Sequence, residues 1–288
     1  MQLRSENTVA EFGYNWAVEA IIKLALDEDI GRGDITTEST VPAENQATAV
    51  ILQKAPGVLC GMPVVRAVFA ILDPRVEVEV MAAEGSSGDR REVARITGPA
   101  RAILTGERTA LNFLQRLSGI ATMSHRAAEL VAGTRTIVLD TRKTTPGQRA
   151  LEKYAVRVGG CHNHRSGLDD AVMIKDNHIR AAGGIQAAVD GARMRVGPAQ
   201  KIEVEVSNRA ELDEALAAGV ELIMLDNHTV DAMRDAVQYV AGRAKLEASG
   251  GITLDNLAEV ASTGVDYISL GALTHSAGSL DFSLEITL

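Results

Sequence analysis

The residues best suited to chemistry are concentrated in one stretch, residues 139–179, of a chain whose formal net charge is −9. Three of the six histidines lie there, His162, His164 and His178. A compact group of cations on an acidic protein favours a small, highly charged anion, whereas nucleic acid would need a broader basic surface. The cations of this stretch are Arg142, Lys143, Arg149, Lys153, Arg157, Arg165 and Lys175.

Apolar, β-branched runs recur from residue 136 onward, and helical patterns separate several of them. This alternation predicts a parallel sheet, and the number of units favours closure into a barrel. Only six strands are clear, fewer than the eight of the common barrel. We predict them at residues 136–139, 171–174, 202–206, 222–225, 246–248 and 267–270.

Polar residues follow these predicted strands, at the end where parallel α/β proteins keep their chemistry. Cations there can hold carboxylates or phosphates. Carboxylate oxygens suit Mg²⁺ or sugar hydroxyls, and glycine lets backbone N–H groups approach a phosphate. The residues expected at this mouth are Asp140 to Lys143, Lys175 to His178, Glu203, Glu205, Asp226, Asn227, Ser249 to Gly251, Gly271 and His275.

Each of these features also has an ordinary structural interpretation. Gly250-Gly251 alone is typical of a turn, and Glu203 with Glu205 could form the solvated face of an edge strand. A zinc site on the three histidines is disfavoured, because no further ligand recurs at a suitable spacing and the neighbouring arginines would repel the ion. No nucleophile elbow or Walker phosphate loop is present. A functional site is favoured because these polar residues and glycines follow one predicted strand after another.

In the first part of the chain, predicted strands and helices do not alternate regularly. This pattern predicts an α+β layer domain. Pro56-Gly57 predicts a hairpin between residues 47–52 and 57–60. Residues 29–40 are interpreted as a connector, because no strand precedes their glycines. A helix is expected over residues 62–72.

Residues 100–131 predict a long helix, broken near Ser118-Gly119. Its arginines, Arg108 among them, are on pattern alone typical of solvated charges. A further helix should open with Thr145 as its N-cap and Pro146 at its first position.

Composition excludes several classes of protein. The chain is 46% hydrophobic but 3% aromatic, so its core must be aliphatic. No apolar run approaches the ~20 residues that a membrane span needs. The sequence pI near 5.2 argues against nucleic-acid or membrane binding. Two cysteines, Cys60 and Cys161, form no disulfide framework or zinc pattern, so we expect a cytoplasmic protein.

Ten short motifs occur in order along nearly the whole chain. They are DIGRGDITT (29–37), GERTALNFLQRLS (106–118), TRKTTPG (141–147), EKYAV (152–156), NHR (163–165), IKDNH (174–178), EVEV (203–206), LDN (225–227), EASGGI (247–252) and SLGA (269–272). With these motifs the sequence resembles the quinolinate phosphoribosyltransferase family, the carboxylating nicotinate-nucleotide pyrophosphorylases. TRKTTPG with IKDNH at this spacing is far more specific than any single glycine loop.

The resemblance implies an α/β architecture with two domains. An N-terminal α/β sandwich, residues 1–117 joined by residues 276–288, would accompany an incomplete, seven-stranded α/β barrel, residues 118–275. It further implies a homodimer, or a hexamer built from it, in which Arg108 reaches the partner's site. The implied reaction joins quinolinate to phosphoribosyl pyrophosphate with Mg²⁺, giving nicotinate mononucleotide, pyrophosphate and CO₂ in NAD biosynthesis.

The resemblance also implies roles for individual residues. The two carboxylates of quinolinate would be bound by Arg108, Arg142, His164 and Arg165, with Lys175 nearby. Lys143 and Lys175 would offset charge on the departing pyrophosphate. Glu205 and Asp226 would hold the ribose hydroxyls, directly or through Mg²⁺. The 5′-phosphate would be held by Ser249, Gly250 and Gly271, with His275 close by.

The sequence departs from the family at two places. Cys161 stands where a third glycine is usual, and it would be strained if that position needs a positive φ. Residues 84–90 are shorter than the usual spacing. Two other functions remain open: a phosphoribosyltransferase of the same fold with another acceptor, such as nicotinate or that of the molybdenum-transport-associated homologue, and a non-catalytic sensor of a phosphate ligand.

Overall fold

A computed structural model describes residues 15–197 and 200–287 of the chain. These residues form two compact units. Of the described residues, the first unit contains those up to His125, Thr144–Gly160 and those from Leu273 onward, and the second contains those in Arg126–Lys143 and Cys161–Ala272. The domain limits given from the sequence, 1–117 with 276–288 and 118–275, stay a prediction.

Strands of the first unit form one antiparallel sheet and one short pair. Their bounds are β1 (Gln46–Gln53), β2 (Gly57–Val58), β3 (Glu77–Val80), β4 (Ser87–Gly88), β5 (Arg91–Pro99) and β12 (Phe282–Thr287). The sheet has the order β12-β1-β5-β3. The C-terminal β12 pairs with β1, as the resemblance implied. Alternate residues of β1 are buried, so one face of this sheet contributes to the core.

The predicted hairpin around Pro56-Gly57 is wrong. Strand β1 pairs on its two edges with β5 and β12, which are distant in sequence, while β2 pairs with β4. The physical reason lies at the end of β1. The side-chain amide of Gln53 is buried and donates hydrogen bonds to the carbonyls of Ala55, Gly57 and Gly88, which directs the chain toward β4.

Helices of the first unit are α1 (Asn15–Ile30), α2 (Ile35–Thr40), α3 (Met62–Leu72), α5 (Arg149–Val158) and most of α4 (Ala100–Leu130). Residues 29–40 are therefore not a plain connector. Asp34 caps α2 by accepting a hydrogen bond from the N–H of Thr37 at 2.9 Å. The interpretation of residues 29–40 as a connector overlooked Asp34 as a helix N-cap.

The predicted break in α4 is also wrong, because the helix runs unbroken past Ser118-Gly119. A Cβ at Gly119 would lie 1.8 Å from the carbonyl oxygen of Gly278. Glycine is therefore required there for close backbone approach, and it does not end the helix.

Helix α5 starts later than the sequence predicted. Its N-cap is Gln148, and Thr145 lies outside the helix. The N–H and hydroxyl of Thr145 donate to the carboxylate of Glu152 at 3.1 and 2.8 Å. Thr145 is therefore held by a side chain of α5 and not by the helix N-terminus.

The second unit contains six parallel strands, in the order β6-β11-β10-β9-β8-β7. They are β6 (Ile137–Leu139), β7 (Val172–Ile174), β8 (Ile202–Val206), β9 (Leu222–Asp226), β10 (Lys245–Ser249) and β11 (Tyr267–Ser269). A single parallel bridge between Leu139 and His162 extends the sheet beyond β6, where a seventh strand would lie. The predicted incomplete α/β barrel is confirmed.

Helices follow the strands of this unit, as α6 (Asp176–Ala182), α7 (Ile185–Arg193), α8 (Arg209–Ala217), α9 (Val230–Val240) and α10 (Leu254–Ser262), and a short α11 (Ala272–His275) follows β11. Within β8, Val204 and Val206 are fully buried and alternate with Glu203 and Glu205. The valines belong to the aliphatic core, so the two glutamates share the opposite face of the strand. Over the described ranges, no helix combines the length and apolarity needed to cross a membrane.

Candidate active site

A cavity of about 440 Å³ opens at the carboxyl ends of the parallel strands of the second unit. Loops after β6, β7 and β10 contribute to it, together with the ends of β8 and β9. Nine of the residues predicted for the site line it together: Arg142, Lys143, His164, Arg165, Lys175, Glu205, Asp226, Ser249 and Gly250. The polar residues that follow successive strands in the sequence therefore predicted the position of this cavity.

Three of the residues to which the resemblance gave a catalytic or binding role do not line this cavity. Gly271 follows β11 within the second unit. Arg108 is exposed on α4, and His275 is exposed at the end of α11. Both of these belong to the first unit.

A further cavity, of about 490 Å³, lies in the first unit and does not have this chemistry. Its cation, Arg116, already donates hydrogen bonds to the carboxylate of Glu152 and to the carbonyls of Thr274 and Ala277. The second-unit cavity is therefore the stronger candidate.

Arg142 and Arg165 place two guanidinium groups near each other in the cavity wall. Partial burial, followed by repulsion from Arg142, lowers the pKa of Arg165. One nitrogen of Arg165 donates to the carbonyl of Ala171 at 3.0 Å, which fixes the side chain. Two like charges held together in this way favour an anion that can bind both.

Lys175 lies directly after β7 and holds the carboxylate of Glu205 in an ion pair of 2.6 Å. The Lys175 side chain is 43% exposed and that of Glu205 is 14% exposed, so the pair lies at the cavity surface. The N–H of Lys175 donates to Nδ1 of His178 at 2.9 Å, within the cap of α6. His178 is thus a helix-capping residue.

Asp226 ends β9, and the next residue orients it. The side-chain amide of Asn227 donates to Asp226 Oδ2 at 2.8 Å, and the Asn227 N–H donates to the carbonyl of Ser249 at 2.9 Å. Asn227 has φ 54°, an uncommon conformation for a non-glycine residue. Its side chain fills the space beside Gly250, where a Cβ would lie 2.2 Å from Asn227 Oδ1.

The loop after β10 has the backbone that a phosphate site needs. Gly250 and Gly251 have φ values of 89° and 65°, which favour glycine. Thr253 and Asn256 form a capping box at the start of α10, with the Thr253 N–H donating to Asn256 at 2.8 Å. The helix N-terminus and the glycine amides together can hold a phosphate.

Two buried glutamates lie beneath the cavity: Glu203, which was expected at this mouth, and Glu247, which was not predicted as a site residue. Glu203 Oε2 lies 3.1 Å from Nε2 of His164, and Glu247 Oε2 lies 3.6 Å from the same nitrogen. The hydroxyl of Ser269 donates to Glu247. Burial, followed by the charge of Glu203, raises the pKa of Glu247 to about 8. The signal for both is an acid that stands between apolar residues within a predicted strand.

Asp140 was also missed as a positioning residue. It directly follows β6 and is fully buried. Its carboxylate accepts hydrogen bonds from the side chain of Asn163 at 2.6 Å and from the N–H of His164 at 2.9 Å. Asp140 therefore fixes the segment that carries His164 and Arg165.

Two further expectations can be compared with the structure. Cys161 is buried and is not among the described residues with positive φ, so it replaces glycine without backbone strain. Burial raises the pKa of its thiol to about 12, which makes it unreactive. In the described ranges, the clustered metal-ligating side chains are those of His164, Glu203 and Glu247, without His162 or His178.

Comparison with known proteins identifies the family. Residues 34–118 match "Quinolinate phosphoribosyl transferase, N-terminal domain", and residues 120–285 match "Quinolinate phosphoribosyl transferase, C-terminal domain". The chain belongs to the quinolinate phosphoribosyltransferase family. The resemblance drawn from the ten motifs is thereby confirmed.

Relatives within this family cover nearly the whole chain. The probable nicotinate-nucleotide pyrophosphorylase [carboxylating] of Bacillus subtilis (strain 168) is 47% identical over 262 residues, covering 91% of this chain and 90% of the relative. The corresponding enzyme of Mycobacterium leprae (strain TN) is 44% identical, covering 94% and 97%. The crystal structure of NadC from Streptococcus pyogenes is 42% identical, with a TM-score of 0.91 and coverage of 95% and 98%.

Proposed function

We propose that this protein transfers the phosphoribosyl group of phosphoribosyl pyrophosphate to quinolinate with loss of CO₂. The products are nicotinate mononucleotide and pyrophosphate, within NAD biosynthesis. The observation that carries the proposal is the pair of arginines in the cavity wall, Arg142 and Arg165, beside Lys143 and Lys175. A monocarboxylate would not need so many cations, whereas quinolinate carries two carboxylates. Names of close relatives support the same assignment.

Quinolinate would lie against Arg142 and Arg165, which can each bind a carboxylate through two hydrogen bonds. Once its ring nitrogen is ribosylated, the pyridinium is cationic. This ring can accept the electron pair released when the carboxylate at carbon 2 leaves as CO₂. The protein's contribution to that step is positioning and electrostatics.

Phosphoribosyl pyrophosphate would lie across the other strands of the cavity. Ser249, Gly250 and Gly271 would hold its 5′-phosphate. Glu205 and Asp226 would hold the ribose hydroxyls and favour the positive charge that develops as pyrophosphate leaves. Lys143 and Lys175 would offset the charge of the departing group, and for this Lys175 would exchange its ion pair with Glu205.

The carboxylates at the mouth fit a magnesium ion. Glu205 and Asp226 both line the cavity, and hard carboxylate oxygens are what Mg²⁺ prefers. When bound, Mg²⁺ would supply charge neutralisation for the pyrophosphate oxygens.

The protein would act in the cytoplasm as a homodimer in which Arg108 enters the partner's site, with a hexamer as a larger assembly. The exposure of Arg108 on α4 supports this arrangement. Chains with Arg108→Ala and chains with Lys175→Ala, each inactive alone, should regain part of the activity when mixed, because one site of each heterodimer is intact. No recovery, once heterodimers are shown to form, would argue against a shared site.

A turnover assay tests the reaction itself. Protein, Mg²⁺ and phosphoribosyl pyrophosphate are mixed with quinolinate in one tube and nicotinate in another, and nicotinate mononucleotide and CO₂ are followed. Product with quinolinate alone is expected. Product with nicotinate alone would retain the phosphate site but reject the dicarboxylate. No product in either tube would favour another acceptor or the phosphate-ligand sensor.

A further inference from the structure

Asn227 lies between two parts of the cavity to which the proposed function gives different tasks. It directly follows Asp226, the last residue of β9, and it lies against Ser249 at the end of β10 and Gly250 after it. All four residues line the cavity. Asn227 belongs to the LDN motif, yet the resemblance gave it no role.

The backbone of Asn227 is tied to the loop after β10. Its φ of 54° lies in the left-handed region, which asparagine adopts more readily than most residues other than glycine. In this conformation its N–H donates to the carbonyl of Ser249 at 2.9 Å, one residue beyond the paired ends of β9 and β10. A movement of the loop would therefore move Asn227 as well.

The side chain of Asn227 occupies the space beside Gly250. A Cβ at Gly250 would lie 2.2 Å from Asn227 Oδ1 and 2.6 Å from its Cγ. Gly250 thus meets two needs, because it adopts a φ of 89° and leaves room for the amide. The position of the amide group is consequently set by the loop.

The same amide fixes the carboxylate of Asp226. Nδ2 of Asn227 donates to Asp226 Oδ2 at 2.8 Å, and in the described part of the chain no other group is hydrogen-bonded to this carboxylate. The ring of His228 donates from Nδ1 to the carbonyl of Asp226 at 3.1 Å. His228 therefore holds the backbone of Asp226, and the orientation of the carboxylate depends on Asn227.

We propose that Asn227 is a positioning residue that couples the loop after β10 to Asp226. The loop holds the amide, and the amide orients the carboxylate toward the cavity. The assignment rests on the proposed function for the two groups that are coupled, the 5′-phosphate at the loop and the ribose hydroxyls or Mg²⁺ at Asp226. A phosphate that orders the loop then also orders the acid that binds the other end of the same molecule.

The affinity for phosphoribosyl pyrophosphate, measured by titration calorimetry with Mg²⁺ and without quinolinate, tests the orientation of Asp226. Asn227→Gly retains the positive φ and the backbone hydrogen bond but removes the amide. We expect binding about tenfold weaker than in the wild type, with a much smaller change in the KM for quinolinate. Asn208→Gly, at an asparagine that caps α8 outside the cavity, is the matched control and should bind like the wild type. Wild-type affinity in Asn227→Gly would overturn the proposal.

A double-mutant cycle separates positioning from direct contact with the ligand. Asp226→Ala leaves no carboxylate to orient, so adding Asn227→Gly to it should not weaken binding further. If the second substitution again costs about tenfold, Asn227 binds the ligand itself and the positioning role is overturned.

A second cycle tests the link to the loop. Gly250→Ala displaces the side chain of Asn227 and also strains the backbone at its positive φ. The strain is common to both backgrounds, whereas the displacement has no consequence once Asn227→Gly has removed the amide. Gly250→Ala should therefore weaken binding less in the Asn227→Gly background than alone. Equal losses in both backgrounds, in variants whose urea unfolding midpoints match, would overturn the link.

NMR of the side-chain amide of Asn227 tests the same coupling without any ligand. The resonance, assigned by its loss in Asn227→Gly, should shift in Asp226→Ala and in Gly250→Ala and stay in place in Asn208→Gly. An unshifted resonance in either of the first two variants would overturn the coupling. Failure of the wild type to bind phosphoribosyl pyrophosphate would instead overturn the proposed function, and this measurement would still decide the role of Asn227.

Discussion

Both compact units bury glutamates, but they satisfy them differently. In the first unit, Glu152 is fully buried, and its carboxylate accepts hydrogen bonds from Arg116 and Thr145. Glu84, which is only half-buried, accepts the N–H of Gly61 at 2.6 Å and so helps to start α3. These acids are surrounded by donors, which is the usual condition of buried polar groups.

In the second unit, Glu203 and Glu247 each have one buried oxygen that accepts no hydrogen bond from the described residues. They lie beneath the cavity that carries the chemistry. The contrast teaches that a buried acid with a full set of donors stabilises the fold, whereas an under-satisfied pair beneath a cavity marks a site whose electrostatics serve binding.

The largest effect should come from the cavity cations. Lys143→Ala and Lys175→Ala should each lower kcat/KM by about 10²- to 10³-fold, because each removes charge stabilisation of the leaving group. Steady-state kinetics measures this, and the midpoint of urea unfolding should stay near that of the wild type. Lys23→Ala, at an exposed lysine, is the matched control. Full activity in both cavity variants would reject the site.

The opposite behaviour is expected at the satisfied acid of the first unit. Glu152→Ala should lower the free energy of unfolding by about 3 kcal/mol, because it leaves the partly buried Arg116 without its charge partner. Urea unfolding at neutral pH measures this loss. Glu152→Gln retains one acceptor oxygen for Thr145 and should lose less. Equal stability of the alanine variant and the wild type would remove the distinction drawn between the two units.

Much of this comparison was accessible from the sequence. The ends of the six parallel strands were located to within one residue, because apolar, β-branched runs at regular spacing are a strong signal. Nine cavity residues were found, because polar residues after successive parallel strands must meet at one edge.

Other features depend on contacts between residues that are distant in sequence. Gly119 looked like a helix break, because nothing local shows that the carbonyl of Gly278 lies against it. Thr145 looked like a helix cap, because its true partner is the carboxylate of Glu152. Glu247 looked like a motif residue only, because the sheet order that brings β10 within one strand of β8, and so Glu247 near Glu203, is not visible in the local sequence.

The last effect should be a change in how stability depends on pH. Burial, followed by Glu203, raises the pKa of Glu247 from an ordinary value of 4.5 to about 8 in the folded protein. Between these values the folded state binds more protons than the unfolded state, so the free energy of unfolding should fall as pH rises from about 4.5 to 8. Glu247→Gln cannot titrate there and should gain more than about 1 kcal/mol relative to wild type by pH 8.

Urea unfolding of both proteins between pH 5 and about pH 8 measures this difference. Glu84→Gln is the comparison from the first unit. It should change the profile less, because hydrogen bonds from Gly61, Met62 and Tyr154 favour the charged form of Glu84 and oppose the effect of its burial on the pKa. Parallel profiles for wild type and Glu247→Gln would show that Glu247 is ionised in the folded protein. The two units would then bury their acids in the same electrostatic state, and the contrast between them would reduce to hydrogen bonding alone.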